Sequence, residues 1–277
     1  MARLKSGVVR VGKAVLKLAA AYIILYLIVT LYGLVRVEME LARLRSAGEP
    51  VTMSDLAPPP LPDSENAALL YAQAFRVISG EEHHDETVSA TGYFLDDYAR
   101  SRFPQTVVPA REFVRGYRKA VDYAQAASCR PKCRFPVDWS KDPFKLLLPH
   151  YSKLRKLSNL TACAGVLAAH EGRSDEATRL LLLQIRIADA VKDEPIVLAQ
   201  MVRQSLFKTA SKTLRKAAAY GGFDARDARL LYDAFSAVDI ESTFPRSIRA
   251  DRVSNLRIFS ELRRHPLKTY GALRSFG

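Results

Sequence analysis

Leu18–Val35 reads LAAAYIILYLIVTLYGLV, eighteen residues without a charge between Lys17 and Arg36. At about 1.5 Å of rise per residue this stretch nearly crosses a hydrocarbon core about 30 Å thick, and Ala14–Leu16 extend it. The flanking Lys17 and Arg36 can snorkel to water, and Tyr22 and Tyr32 suit the two interfaces. The stretch therefore predicts a single transmembrane helix over 18–35, with the lipid bilayer as its partner. A cleaved signal peptide would have a shorter apolar core, followed by a small-x-small cleavage site. Here bulky, charged LVRVEMELARLRSAG follows and reads as the same helix running on into water. A buried core helix is the third reading, but no other run in the chain is this apolar.

The flanks give an orientation. Arg3, Lys5, Arg10, Lys13 and Lys17 make 1–17 a basic segment without an acid, whereas Arg36, Arg43 and Arg45 are interleaved with Glu38 and Glu40. The positive-inside tendency places residues 1–17 in the cytoplasm and exports the C-terminal domain, as in a single-pass inner-membrane protein.

The rest of the 277 residues is water-soluble in pattern and long enough to bury its own core. The formal charge is +13, and it is unevenly placed. Fourteen basic and seven acidic residues lie between Lys208 and Arg274, while the middle of the chain is nearly balanced. An anionic lipid surface or an acidic protein partner explains this bias without invoking nucleic acid, which an exported domain would rarely meet. Three cysteines are too few for a disulfide-built scaffold.

Gly48 is placed to stop the extended anchor helix. The linker EPVTMSDLAPPPLP over Glu49–Pro62, with four prolines in its last five positions, reads as a semi-rigid spacer that completes the 36–62 segment. Asp63 or Ser64 can cap the first soluble helix, which Gly80 ends. Tyr93–Tyr98 suggests a short helix, and Pro109 is placed to open a long one reaching about Ser128. The four prolines of Cys129–Pro149 preclude a long helix, so its Phe135, Trp139 and Phe144 predict an ordered loop packed by aromatic side chains.

From Tyr151 the pattern is plainly helical, with Leu154, Leu157, Leu160, Ala164 and Leu167 on one face. Gly172 breaks the pattern, Ser174 or Asp175 caps, and Ala177–Val191 returns as a second helix. Helices starting at Pro195, at Asp224 or Asp227, and over Ser242–Glu261 follow, the last with an expected interruption at Pro245. No alternating β-branched run predicts a sheet. The expected fold is all-α: an N-terminal single transmembrane helix, then a helical-hairpin, tetratricopeptide-like or irregular helix-bundle domain over 63–220. A basic helical segment closes the chain over 221–277.

Candidate sites are few. His83 and His84 with Glu81, Glu82, Asp85 and Glu86 hold enough donors for a metal, yet adjacent histidines converge poorly on one ion, and a solvated acidic loop explains them. No metal or cofactor is expected. Cys129 and Cys133, spaced CxxxC, match neither a redox nor a zinc motif, and in an exported domain they could close a disulfide around Pro131. His150, with Asp138 as orienter, could serve as a base, but no nucleophile elbow accompanies it, so no catalytic residue is assigned. A helix-start residue docking the loop is the simpler account of His150. Glu194-Pro195 suits a helix start, with the carboxylate facing free amides. The strongest feature outside the core is the basic set Arg246, Arg249, Arg252, Arg257, Arg263 and Arg264, interleaved with Ile248, Leu256, Phe259 and Leu262. It reads as a solvated face or as a contact with a membrane or acidic partner.

Several segments are familiar together: AGEPVTMSDLAPPPLPDSENAALLYAQAF over 47–75, CRFPVDW over 133–139, LPHYSKLRKL over 148–157, EGRSDEA over 171–177 and DEPIVLAQMVR over 193–203. With the preceding anchor they resemble uncharacterised membrane-anchored helical proteins of planctomycete bacteria. The resemblance implies architecture and topology and supplies no activity. The leading expectation is a membrane-anchored binding or scaffolding module. Its alternatives are a structural subunit of a membrane complex, or an unrecognised enzyme using His150 and Asp138.

Overall fold

The computed structural model describes residues 2–52, 54–80, 103–139, 141 and 147–264. The described elements are helical, and the chain divides into two compact units, Met1–Val51 and Thr52–Gly277.

The first unit is helix α1, Ala2–Ser46. It carries the only span among the described residues long and apolar enough to cross a membrane, which supports a single-pass membrane topology. Forty-five residues make about 67 Å of helix, roughly twice a hydrocarbon core, so the helix continues past the apolar stretch as the charged sequence requires. Gly48, at φ +69°, ends it as expected. The Gly48 N–H donates to the Arg45 carbonyl at 3.1 Å and the Glu49 N–H to the Leu44 carbonyl at 2.9 Å, a Schellman closure that satisfies two orphan acceptors.

The second unit begins within the spacer. Thr52 and Asp55 exchange side-chain and backbone hydrogen bonds around the 3₁₀ turn Ser54–Leu56, and Leu56 is buried. Helix α2, Ala68–Gly80, starts later than the Asp63 and Ser64 caps predicted. The capping bond comes from Asn66, one residue before the N-cap position, whose Oδ1 accepts from the Ala68 N–H at 3.1 Å and from the Arg134 N–H at 2.9 Å. The Asn66 amide also donates to the Arg134 carbonyl at 3.0 Å, so one side chain caps the helix and latches the 129–139 loop to it. The expected Tyr93–Tyr98 helix lies outside the described residues.

Where one long helix was expected from Pro109, there are two. Helix α3 spans Phe103–Gly116, with Pro109 inside it, and α4 spans Arg118–Ser128. The break falls at Gly116-Tyr117, where Tyr117 leaves helical geometry at φ −101°, ψ 17°. The following loop packs through buried Phe135 and Trp139, each contributing about 2 kcal/mol of burial or more. Phe135 stacks on Phe75 with ring centroids 6.1 Å apart.

Helix α5, Pro149–His170, is the axis of the domain and packs against α2, α3, α4 and the two helices that follow, α6, Ser174–Asp189, and α7, Val197–Ala218. Its small residues make that possible. A Cβ added at Gly165 would lie 3.6 Å from the Leu180 Cβ and 3.8 Å from the Thr213 methyl, ordinary contact distances with both neighbours. The α5–α6 hairpin turns at Gly172, φ +75°, where the Arg173 N–H donates to the Ala168 carbonyl at 2.8 Å.

Pro195 precedes α7 by two residues rather than starting it, with Ile196 between them in extended backbone as the N-cap. Helix α8, Ala225–Ser236, is capped by Asp224, whose carboxylate accepts from the Asp227 N–H at 2.7 Å. Helix α9, Thr243–Arg264, runs through Pro245 without interruption, because the proline sits in the first turn, where a missing N–H costs no helical bond. Helix α8 packs on α6, and α9 packs on α7. The domain is a multi-helix bundle.

Candidate cleft and buried polar clusters

Polar residues predicted to act in the open are in several cases buried and engaged. His150, in the first turn of α5, is 6 % exposed. Its Nε2 stands 2.8 Å from Oε1 of Glu194, which is itself 7 % exposed. The other Glu194 oxygen accepts from the Tyr151 hydroxyl at 2.5 Å. Both carboxylate oxygens are thus spent inside, not on the free amides of α7. Burial first, then the Glu194 charge, push the Tyr151 phenol far above its ordinary value. Phe135 covers the imidazole from the loop side, with centroids 4.4 Å apart.

Asp138, the expected orienter of His150, is exposed, and its carboxylate lies 3.7 Å from the Lys141 ammonium. The structure brings Glu194 to His150 instead. Sequence gave no signal for this pairing, because the two residues are forty-four positions apart.

A second buried polar cluster forms around Arg203. Arg203 of α7 is 3 % exposed and grips Asp189 through Nη2 and Nε at 2.7 and 2.9 Å. Its Nη1 donates to the Asp239 carbonyl at 2.8 Å, tying the entry of α9 to the bundle. At the α5–α6 turn, Glu171 accepts two hydrogen bonds from Arg111 of α3, at 2.6 and 2.9 Å, and is bridged by Arg173. Partial burial would raise its pKa, but these arginines outweigh it and hold the carboxyl below its usual range.

A cleft of about 810 Å³ opens in the domain, with α6 as its floor and α4 and the end of α8 as its walls. This volume falls within the range of ligand-binding clefts. Arg118 and Gln125 line it from α4, and Ala234 and Val238 from the α8 side. The floor presents Arg179, Leu182 and Arg186, and Lys192 closes one end. The cleft's own acids are turned to other partners. Asp189 is held by Arg203, and Glu176 pairs with Arg173. Arg118 pairs with Asp122 at 3.2 Å. Among the described residues no carboxylate lies within 4 Å of the charged groups of Arg179, Arg186 or Lys192. A small recess of about 50 Å³ adjoins the cleft, sharing Arg186 and Lys192 and reaching Tyr71 and Cys133. Burial raises the pKa values of the Tyr71 phenol and the Cys133 thiol, and the Arg186 charge partly opposes the shift at Tyr71.

The remaining candidates are scattered. Cys129 is exposed and Cys133 half-buried, and both are free thiols. Arg246 and Arg249 are exposed on α9 beside exposed Ile248, and Arg252 is half-buried. Arg257, Arg263 and Arg264 also fall on α9, but their side chains lie outside those described. His83 and His84 lie outside the described residues. Among the described residues, no group of three His, Cys, Asp or Glu side chains is placed to hold a metal.

The chain matches no family model, no curated protein and no solved structure, so the planctomycete resemblance rests on the quoted segments alone.

Proposed function

We propose that this membrane-associated all-helical protein is a binding or scaffolding module that receives a partner in the α4–α6–α8 cleft. One observation carries the reading: an open cleft of binding-site size whose floor and one end present three cations with no carboxylate within 4 Å. Arg179, Arg186 and Lys192 are exposed and give this surface a positive character, which a partner of opposite charge complements. The tetratricopeptide-like pairing of α5 and α6 belongs to this reading as a rigid support for the cleft floor. So does the orientation in which residues 1–17 are cytoplasmic and the bundle is exported, resting on five basic residues before the span against three after it.

Affinity capture of the intact protein from detergent-solubilised membranes, beside a Leu182→Trp variant that fills the cleft, tests the reading. It expects a stoichiometric companion that L182W loses. A protein recovered alone in both preparations, or a companion retained by L182W, counts against it.

A further inference from the structure

The spacing of the cleft cations specifies more than charge. Arg179 and Arg186 are seven residues apart on α6, hence on one face of the helix and about 10.5 Å apart along its axis. Lys192 lies a further six residues on, past the last helical residue at Asp189. A chain that carries several anions can engage the cations one by one along this row. An extended polyproline II chain rises about 3.1 Å per residue with three residues per turn, so every third side chain returns to one face about 9.3 Å further on. Carboxylates at every third position therefore match the Arg179–Arg186 pair within the reach of flexible arginine side chains, with Lys192 beyond them at the end of the cleft.

The surface between the cations fits the intervening residues. Leu182 lies between Arg179 and Arg186, and Ala234, Ala237 and Val238 give the facing wall an apolar character. Among the described residues that line the cleft none is aromatic, so these residues offer no platform on which nucleic-acid bases could stack.

We infer that the cleft binds an extended acidic peptide segment, with carboxylates at every third residue paired to Arg179, Arg186 and Lys192 and apolar residues between them. This rests on the binding reading above and names the partner's chemistry. The cations confer electrostatic steering and register, and the apolar wall selects against a fully charged chain.

The test is fluorescence anisotropy of a labelled nine-residue peptide of three Glu-Pro-Leu repeats, added to the full-length protein in neutral detergent micelles. Inorganic phosphate, single-stranded RNA and vesicles containing anionic lipid serve as competitors. The inference expects saturable binding that weakens with salt, at least a tenfold loss in an Arg179→Glu, Arg186→Glu variant, and weaker binding of a peptide of the same composition with its glutamates adjacent. An Arg179→Gln, Arg186→Gln variant repeats the test without added negative charge, and a thermal melt confirms that each variant folds. Equal affinity in wild type and variants, or displacement by phosphate, RNA or vesicles as effective as by unlabelled peptide, overturns the inference. Absence of peptide binding overturns the acidic class while leaving the binding reading standing if L182W still loses a companion. If L182W loses none, both fall.

Discussion

The His150 imidazole and the Glu194 carboxylate meet at 2.8 Å inside the bundle, joining the first turn of α5 to the bend that precedes α7. With the Tyr151 hydroxyl on the other oxygen, the carboxylate is fully used and nearly removed from water. Such a pair is costly to break from one side, because its remaining member stays buried without a partner. Glu194→Ala is therefore expected to destabilise the domain by about 3 kcal/mol, read as a lower urea midpoint with an unchanged slope. Glu194→Gln, which retains the shape and one acceptor, should cost markedly less. Equal midpoints for wild type and E194A would remove this cluster from the account of stability.

Glu171 gives the domain an acid-sensitive fastening between α3 and the α5–α6 turn. Its pKa is lowered by hydrogen bonds and charge from Arg111 and Arg173 despite the opposing effect of burial. A depressed carboxyl contributes stability that is complete above its ordinary value near 4.5 and is lost as pH falls through the lower folded value. Glu171→Gln should thus lower stability at pH 7, and the difference from wild type should shrink below about pH 4.5. Urea unfolding at pH 7, 4.5 and 3 measures it, and a gap that widens on acidification would reverse the sign of the argument.

At Gly165 the helix neighbours leave room for one carbon and little more. Gly165→Ala is expected to raise stability by about 0.5–1 kcal/mol, because alanine favours the helix and its methyl meets Leu180 and Thr213 at contact distance. Gly165→Leu should cost about 1–3 kcal/mol by overpacking. Thermal melts of both variants check the pair, and a stabilising leucine would mean that α5, α6 and α7 are not closely packed there.

These three sites show what a sequence can and cannot disclose. The apolar span, its stop at Gly48 and the hairpin about Gly172 were legible because periodicity and glycine act over a few neighbouring residues. The cap of α2 was misread, since Asp63 and Ser64 are good local candidates whereas Asn66 is chosen by its simultaneous bonds to Arg134. Pro245 looked like a break only because the first turn could not be placed to within three residues. His150 drew notice as a histidine at a helix start, but its partner Glu194 comes from a distant turn. The cleft was illegible. Arg179 and Arg186 look like the solvated face of an amphipathic helix until α4 and α8 close on either side.

The cysteines separate by exposure. Cys129 is exposed, whereas burial pushes the Cys163 thiol up to about 12. Iodoacetamide at pH 8 should label Cys129 within minutes and Cys163 only on unfolding, as counted by intact mass. If the exported domain closes the proposed Cys129–Cys133 disulfide, protein isolated without reductant will leave Cys129 unlabelled, and reduction will restore it. Rapid labelling of Cys163 in the native state would contradict its place in the core.

The central claim is that a partner occupies the cleft. Its most direct test is photo-crosslinking in intact membranes, with a benzophenone amino acid substituted at Leu182 on the cleft floor and, as control, at exposed Lys212 on α7. The account predicts a discrete higher-mass adduct from position 182 that is lost when Arg179 and Arg186 are reversed to glutamate, and none from position 212. Adducts of equal yield from both positions, or no adduct from position 182, would contradict it.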